Sequence, residues 1–397
     1  MKNSAQQSKK TKLTTSNAFR FVLVLGIVNL FADVTYEGAS SINGQFLGLL
    51  GASAAAIGVI SGIGEFLGYS LRFVSGYFTD RTGKYWLVTF TGYAINLFAV
   101  PALALAGNWQ VAAGLMIAER VGRAIRKPTV EAMLSYTTNS LGKGWVYALN
   151  NALDQTGAVI GPLLMSLVLL LKEDYRIGYT VLLVSAVLAL ATLAVAQMYF
   201  PKPSALEAGP SSATAKGFTA SYWLYMCGGA FVAAGLVSFE LISFHFSKTD
   251  SVTREWIPLL FALAMAVDGI SGLIFGRLFD KVGMPVIYLA IFLSSLFAPL
   301  VFFGTFTLAV VGMVLWGIGF GAQDSLFKSI IAGLLPEGRR NLAFGLYYTG
   351  YGTGWLVGSV TTGFLYEWSL PFLVGFSVAI QLISLPVFFV ATKIRSV

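Results

Sequence analysis

A chain of 397 residues that is 56% hydrophobic and only 11% charged, with a mean hydropathy of +0.75, is too apolar for a water-soluble domain, which carries about 25% charge. Its net charge of +8 would suit nucleic acid, but the basic residues sit at the ends of apolar runs instead of forming one patch. One cysteine (Cys227) and one histidine (His245) exclude an internal disulfide and a cysteine–histidine zinc cluster, and they make a Ser–His triad unconvincing.

A hydrocarbon core about 30 Å thick needs roughly 20 apolar residues per helix. The apolar runs are long and lack period-2 alternation, which excludes a membrane β-barrel. Twelve spans are predicted, at 20–42, 55–79, 85–106, 109–134, 144–171, 177–199, 219–246, 256–279, 285–303, 305–334, 341–366 and 371–392. The polar, basic opening MKNSAQQSKKTKLTTSNAFR predicts a cytoplasmic tail over 1–19, not a cleaved signal peptide. With the N-terminus inside, only Lys172, Arg176, Lys248 and Arg254 fall at outer ends and Arg72 within a span, the positive-inside bias.

Span one places Asn29, Asp33, Glu37 and Ser40 on one helical stripe. Glu65 and Arg72 in span two are expected to pair through neighbours in a structural role. The turn that follows, SGYFTDRTGKYW (75–86), returns as FGRLFDKVGMPV (275–286): Gly76, Asp80, Arg81 and Gly83 correspond to Gly276, Asp280, Lys281 and Gly283. In span four, Arg120, Arg123, Lys127 and Glu131 form a stripe flanked by Glu119 and Arg126. A basic line in lipid must face acids, water or an anionic ligand, because an ionisable group there costs at least ~2.5–3.5 kcal/mol.

Span five aligns Asn150, Asp154, Gly157 and Gly161 on one face, followed by Pro162. YALNNALDQTGAVIGP (147–162) overlays FGLYYTGYGTGWLVGS (344–359), matching Thr156, Gly157 and Gly161 to Thr353, Gly354 and Gly358. The Pro-, Ser- and Gly-rich stretch 200–218 reads as a flexible cytoplasmic linker. In the second half the deep charges are sparser. Asp268 and Asp324 reach mid-depth, Lys328 lies one turn from Asp324, and His245, near the outer end of span seven with Glu240, is expected to be an ordinary interfacial residue and not a proton relay. Span eleven gathers Tyr347, Tyr348, Tyr351 and Trp355 for packing or for substrate contact.

Two repeats in the same order indicate a duplicated six-span unit, a plan that places a transporter's site between the halves. On GYFTDRTGKY and GAVIGP the chain resembles the major facilitator superfamily: the first matches its loop signature except at Tyr85, and the second matches the core of its antiporter motif without the glycine pair that usually follows. The resemblance implies an all-α membrane fold of twelve helices in two pseudo-symmetric six-helix bundles, over 20–199 and 219–392, with a short cytoplasmic tail at 393–397. It also implies a latch at the cytoplasmic turn, built from Gly76, Asp80, Arg81, Gly83 and Lys84 with Asp280 and Lys281.

Spans one and four line the cavity in that family. The leading substrate and proton residues are therefore Asp33, Glu37, Arg120 and Arg123, with Arg126, Asp154 and Asp324 beside them. For each, a structural ion pair is the competing reading, and Asp33 is expected to couple to the Arg120–Arg123 face. The expected activity is alternating-access transport, namely proton-coupled export of a small organic or drug-like solute. The alternative is proton-coupled uptake of an organic anion, since arginines suit a carboxylate or phosphate. No catalysis, cofactor or metal is expected. The partners are a small-molecule substrate, protons and the bilayer, with no nucleic acid. A monomer in the cell membrane with both termini cytoplasmic completes the expectation.

Overall fold

The structure, a computed structural model, describes residues 2–202, 219–334 and 340–395. The side chains of some helical residues, Asp80, Asp324 and Lys328 among them, lie outside the described set, and so does most of the expected linker. The described chain is helical throughout. The first half comprises α1 (Lys2–Leu49), α2 (Ala54–Thr82), α3 (Tyr85–Ala102), α4 (Trp109–Ser135), a single turn α5 (Thr138–Leu141), α6 (Lys143–Lys172) and α7 (Tyr175–Tyr199). The second comprises α8 (Ala220–Gly235), α9 (Phe239–Thr249), α10 (Trp256–Val282), α11 (Pro285–Ser295), α12 (Phe297–Phe303), α13 (Phe306–Leu334), α14 (Arg340–Trp368) and α15 (Leu370–Arg395). Helix α1 begins well before residue 20, so the polar opening continues the first span as helix.

These helices make twelve crossings, with α8–α9 and α11–α12 each serving as one. Among the described residues, ten crossings contain segments long and apolar enough to span a bilayer. The two that fall short are α4, carrying the charge stripe, and α14, whose tyrosines, glycines and threonines dilute its leucine and valine. Both pack on several neighbours, α4 on α2 and α3 and α14 on α2 and α8, so that lipid sets the composition of only part of each.

Glycines fix how the halves are built. Gly157 and Gly161 on α6 lie against the backbone of α1 at Leu30 and Val34; Gly354 and Gly358 on α14 lie against α8 at Ala230 and Ala234. The two repeats therefore make the same helix–helix contact, with small residues letting the backbones approach. Gly83 and Gly283, with φ of 66° and 76°, close α2 and α10, and each N–H reaches the carbonyl four residues back at 2.8 Å. Gly83 is left-handed helical and Gly283 shares only its positive φ; both conformations are open to glycine at little cost. These turns share one end of the molecule with Arg81, Lys84, Lys281 and Lys202, which we call the basic face.

Two predicted spans are interrupted: 285–303 turns at Leu296 between α11 and α12, and the other break is wider. The stretch 219–246 is not a single helix but breaks over Leu236–Ser238, where Gly235 ends α8 and the Ser238 side chain caps α9 by accepting from Leu241 N–H. The exposed carbonyls are satisfied by tertiary partners: Gly235 O accepts from Ser377 Oγ at 2.6 Å and Gln381 Nε2 at 3.2 Å, and Val237 O accepts from Trp316 Nε1 at 3.0 Å. Non-helical backbone at membrane depth is tolerated when buried and bonded in this way.

The halves meet along α2 with α14, α6 with α10, and α1 with α9. Toward the face opposite the basic one, Ala55 N donates to Glu367 Oε1 at 2.9 Å, Ser166 Oγ donates to Glu255 O at 2.7 Å and Arg254 Nη1 donates to Glu173 O at 3.0 Å.

Candidate functional site

Helix α4 supplies the centre. Gly92 faces the Arg126 backbone and Gly122 faces Asn96, so α3 and α4 pack closely enough to bury the side chains between them. Arg120 turns toward α2 and the second half. It pairs closely with Glu65, its Nε lies 3.4 Å from Glu119 Oε2, and its Nη2 donates to Glu240 Oε1 at 2.7 Å. Arg123 Nη2 lies 3.7 Å from the same Glu65 oxygen, its Nε lies 3.8 Å from Glu119 Oε1, and its guanidinium sits 4.7 Å from the centre of the Tyr36 ring. Asn96 Nδ2 holds Glu119 Oε1 at 2.7 Å, and Glu37 lies within Coulombic reach of Arg123, Arg120 and Glu240.

A second cluster adjoins the first on the α1 side. Arg126 Nη2 lies 3.7 Å from Asp33 Oδ1, and its Nη1 donates to Asn29 Oδ1 at 3.4 Å. Asn29 also accepts a short hydrogen bond from the Tyr93 hydroxyl and donates to Asn150 Oδ1 at 2.8 Å. Asn150 Nδ2 in turn donates to Asp154 Oδ2 at 3.2 Å. Asp33 and Asp154 lie within Coulombic reach of each other, and Arg126 and Lys127 lie within reach of both. Gly157 packs directly beneath Asp33, where an added Cβ would come 3.0 Å from the Asp33 Cβ.

The expected coupling of Asp33 to Arg120 and Arg123 is therefore corrected: its partner is Arg126. Arg120 and Arg123 point to α2 across the cluster, whereas Arg126, one turn on, points to α1 and α3. Among the described contacts, Glu65 and Arg72 have separate partners. Glu65 joins Arg120, while Arg72 donates to Gly68 O at 2.9 Å and lies over Tyr69 and Tyr348. Glu240 is no interfacial companion of His245; it is 7% exposed and reaches Arg120. His245 is itself buried, 3.0 Å from the Tyr366 hydroxyl and packed on Phe302. The sequence signal for Glu240 was a glycine followed by a capping serine just before it, which marks a break inside an apolar run.

Other expected residues lie away from this centre. Arg81, Lys84, Asp280 and Lys281 are exposed, and Arg81 Nη1 is 3.4 Å from the Tyr77 hydroxyl. Asp80 and Asp324 fall on side chains outside the described set. Gly76 sits near Pro128 with room to spare, and Pro162 lies inside α6. Asp268 accepts from Gln155 Nε2 at 3.3 Å, linking α10 to α6. Among the described residues no three His, Cys, Asp or Glu side chains are grouped to hold a metal ion.

The family model for the Major Facilitator Superfamily matches residues 218–396. An uncharacterized protein of Mycobacterium tuberculosis is 36% identical over 380 residues, 94% of this chain and 93% of that protein. An uncharacterized MFS-type transporter of Methanocaldococcus jannaschii is 24% identical over 397 residues, covering 96% of this chain and 97% of the relative. Among solved structures, the nucleoside transporter NupG superposes with a TM-score of 0.71 at 13% identity, covering 95% of this chain and 99% of that one. At that identity the likeness is one of fold.

Proposed function

The chain belongs to the major facilitator superfamily and is a membrane transporter, and within that frame we propose that it exchanges protons for a small organic cation by alternating access. One observation carries the reading: the buried centre holds more acid than base. Glu37, Glu65, Glu119 and Glu240 surround Arg120 and Arg123, an excess of two carboxyls. Adding the buried Asp33 and Asp154 against Arg126 and Lys127 leaves the excess unchanged; Glu131, which also reaches Asp154, is exposed. Burying unpaired carboxylates is costly. The excess is balanced either by bound protons or by a cationic ligand, and a site that accepts the one in place of the other is an exchanger.

Organic-anion uptake rested on the α4 arginines, and each of these is already engaged by carboxylates, which weighs against it. Proton-coupled export of a drug-like solute is the form of transport this chemistry favours: protons entering the acid centre release the cation. Asp33 and Asp154, held beside Arg126, are the proposed proton carriers, and Asp80 with its basic neighbours is the proposed latch of the basic face. That face is taken as cytoplasmic, with the protein a monomer in the cell membrane.

The test is flux in proteoliposomes loaded with a pH-sensitive dye, challenged with 1-methylpyridinium and with benzoate. Exchange predicts that 1-methylpyridinium moves protons the opposite way across the membrane and that Glu65→Gln or Glu240→Gln abolishes the movement. Benzoate-driven proton movement beyond that of protein-free vesicles, with none driven by 1-methylpyridinium, would overturn the reading.

A further inference from the structure

The centre has two chemically different walls. The charged wall belongs to α1, α2 and α4. The other is aromatic and belongs to the second half. Phe239 precedes Glu240 at the start of α9, and its ring centre lies 4.3 Å from that of Phe261 and 6.1 Å from that of Trp316. Trp316 packs on Phe320 at 4.3 Å, and Phe320 packs on Trp355 at 5.8 Å. The residue after Trp355, Leu356, lies against Gly62 of α2, one turn from the Glu65 that pairs with Arg120. Contacts and chain connectivity together lead from Arg120 through Glu240 and along α9 to Phe239, through the aromatic row to α14, and back through α2 to Arg120.

The two tryptophans of this row differ in one respect. The Trp316 N–H is used by the α8–α9 break, where it bonds Val237 O. Trp355 is 3% exposed, and its Nε1 has no hydrogen-bond partner. Buried donors are almost always paired, and an unmet one calls for an explanation. Packing alone does not supply it, because phenylalanine would fill the row without burying a donor. The row starts one residue from Glu240, a combination that suits a delocalised cation: ring faces attract positive charge, and a carboxylate compensates it.

We propose that this row receives the planar ring of the transported cation, and that Trp355 Nε1 donates a hydrogen bond to an acceptor carried on that ring. The proposal rests on the proton–cation exchange reading and adds to it the shape and the polar handle of the substrate. The preferred ligands are flat aromatic cations with a carbonyl or similar oxygen at the ring edge. Compact aliphatic cations satisfy Glu240 but leave the row and the Trp355 donor unused.

Dissociation constants of the full-length protein in lipid nanodiscs, measured by calorimetry, decide this with three probes. Tetramethylammonium supplies charge alone, 1-methylpyridinium adds the ring, and 1-methylnicotinamide adds a carbonyl acceptor. We expect each addition to tighten binding by about threefold to tenfold. Trp355→Phe is expected to erase the gain from the carbonyl while keeping the gain from the ring. Trp355→Leu is expected to reduce both, and Phe320→Leu tests the ring gain if the leucine variant at 355 does not fold. Unchanged gains in Trp355→Phe and Phe320→Leu would overturn the proposal. Equal binding of all three cations would overturn it too, while leaving proton–cation exchange intact. Binding of benzoate and of none of the cations would remove both readings.

Discussion

Arg120 on α4 donates from Nη2 to Glu240 Oε1 on α9 at 2.7 Å, and so ties the first half of the molecule to the second at the point where the seventh crossing breaks. The same guanidinium closes on Glu65 of α2. Helices α1 and α9 separate if the face opposite the basic one opens, because Gly44 of α1 packs on the Glu240 backbone. Opening that face is therefore expected to strain the Arg120–Glu240 bond, so that a group competing for Glu240 would bear on the conformation. Events at an ion-pair interface between rocking halves couple to transport in this way.

The first expectation concerns that pair. Arg120→Met leaves Glu65 and Glu240 buried without their base and is expected to destabilise the fold by ~3–5 kcal/mol. Glu240→Gln keeps a hydrogen-bond acceptor opposite Arg120 and should cost less, while proton-linked flux is lost. Thermal unfolding in detergent and vesicle flux measure the two. Wild-type stability in Arg120→Met would mean that the acids need no base.

Asp33 and Arg126 form the second test. Asp33→Asn is expected to abolish transport driven by a pH gradient while substrate exchange at equal pH continues. Arg126→Gln, which leaves Asp33 beside Asp154 without its base, should impair both. Counterflow and gradient-driven flux in the same vesicles separate these outcomes. A wild-type pH dependence in Asp33→Asn would transfer the proton to Asp154.

The glycines divide by what surrounds them. At Gly161 an added Cβ would lie 2.7 Å from the Gly38 nitrogen, so Gly161→Ala should cost at least the ~1–3 kcal/mol of an overpacked contact. Gly76→Ala meets Pro128 only at 3.6 Å and should be tolerated. Gly83→Ala forces a side chain into the left-handed region and should cost ~1–2 kcal/mol, with Gly83→Asn milder. Unfolding midpoints that fail to follow this order would refute the packing described.

Glu367 caps α2 across the halves by accepting from Ala55 N at 2.9 Å. Losing a helix cap costs about 1 kcal/mol, close to fivefold in an equilibrium. Glu367→Ala is therefore expected to favour the state open on that face by about that factor. The labelling rate of a cysteine placed at Gly48, in a Cys227→Ser background, reports it. An unchanged rate would make the contact incidental to opening.

Much of this molecule was legible in its residues. Lipid leaves the backbone no solvent to bond, so each apolar run of sufficient length had to be a helix, and counting the runs fixed the twelve crossings. The repeat between 147–162 and 344–359 marked Gly157, Gly161, Gly354 and Gly358 as equivalent, and they make equivalent contacts on α1 and α8. The deep charges on α1 and α4 were visible for the same reason: an acid or a base stands out where apolar side chains are the rule.

Which charge meets which was not visible. A helical stripe gives direction only relative to its own helix, and the rotation and depth of α4 against α1, α2 and α9 are set by packing across the whole bundle. One turn of α4 separates Arg123, which faces Glu65, from Arg126, which faces Asp33. Glu240 meets Arg120 across 120 residues of chain, from beyond a helix break whose loose carbonyls are satisfied by α13 and α15. Sequence set the inventory of helices and charges, because the bilayer acts on each segment separately. The tertiary structure alone chose the partners, because an ion pair depends on the relative placement of two helices, which the periodicity of neither one contains.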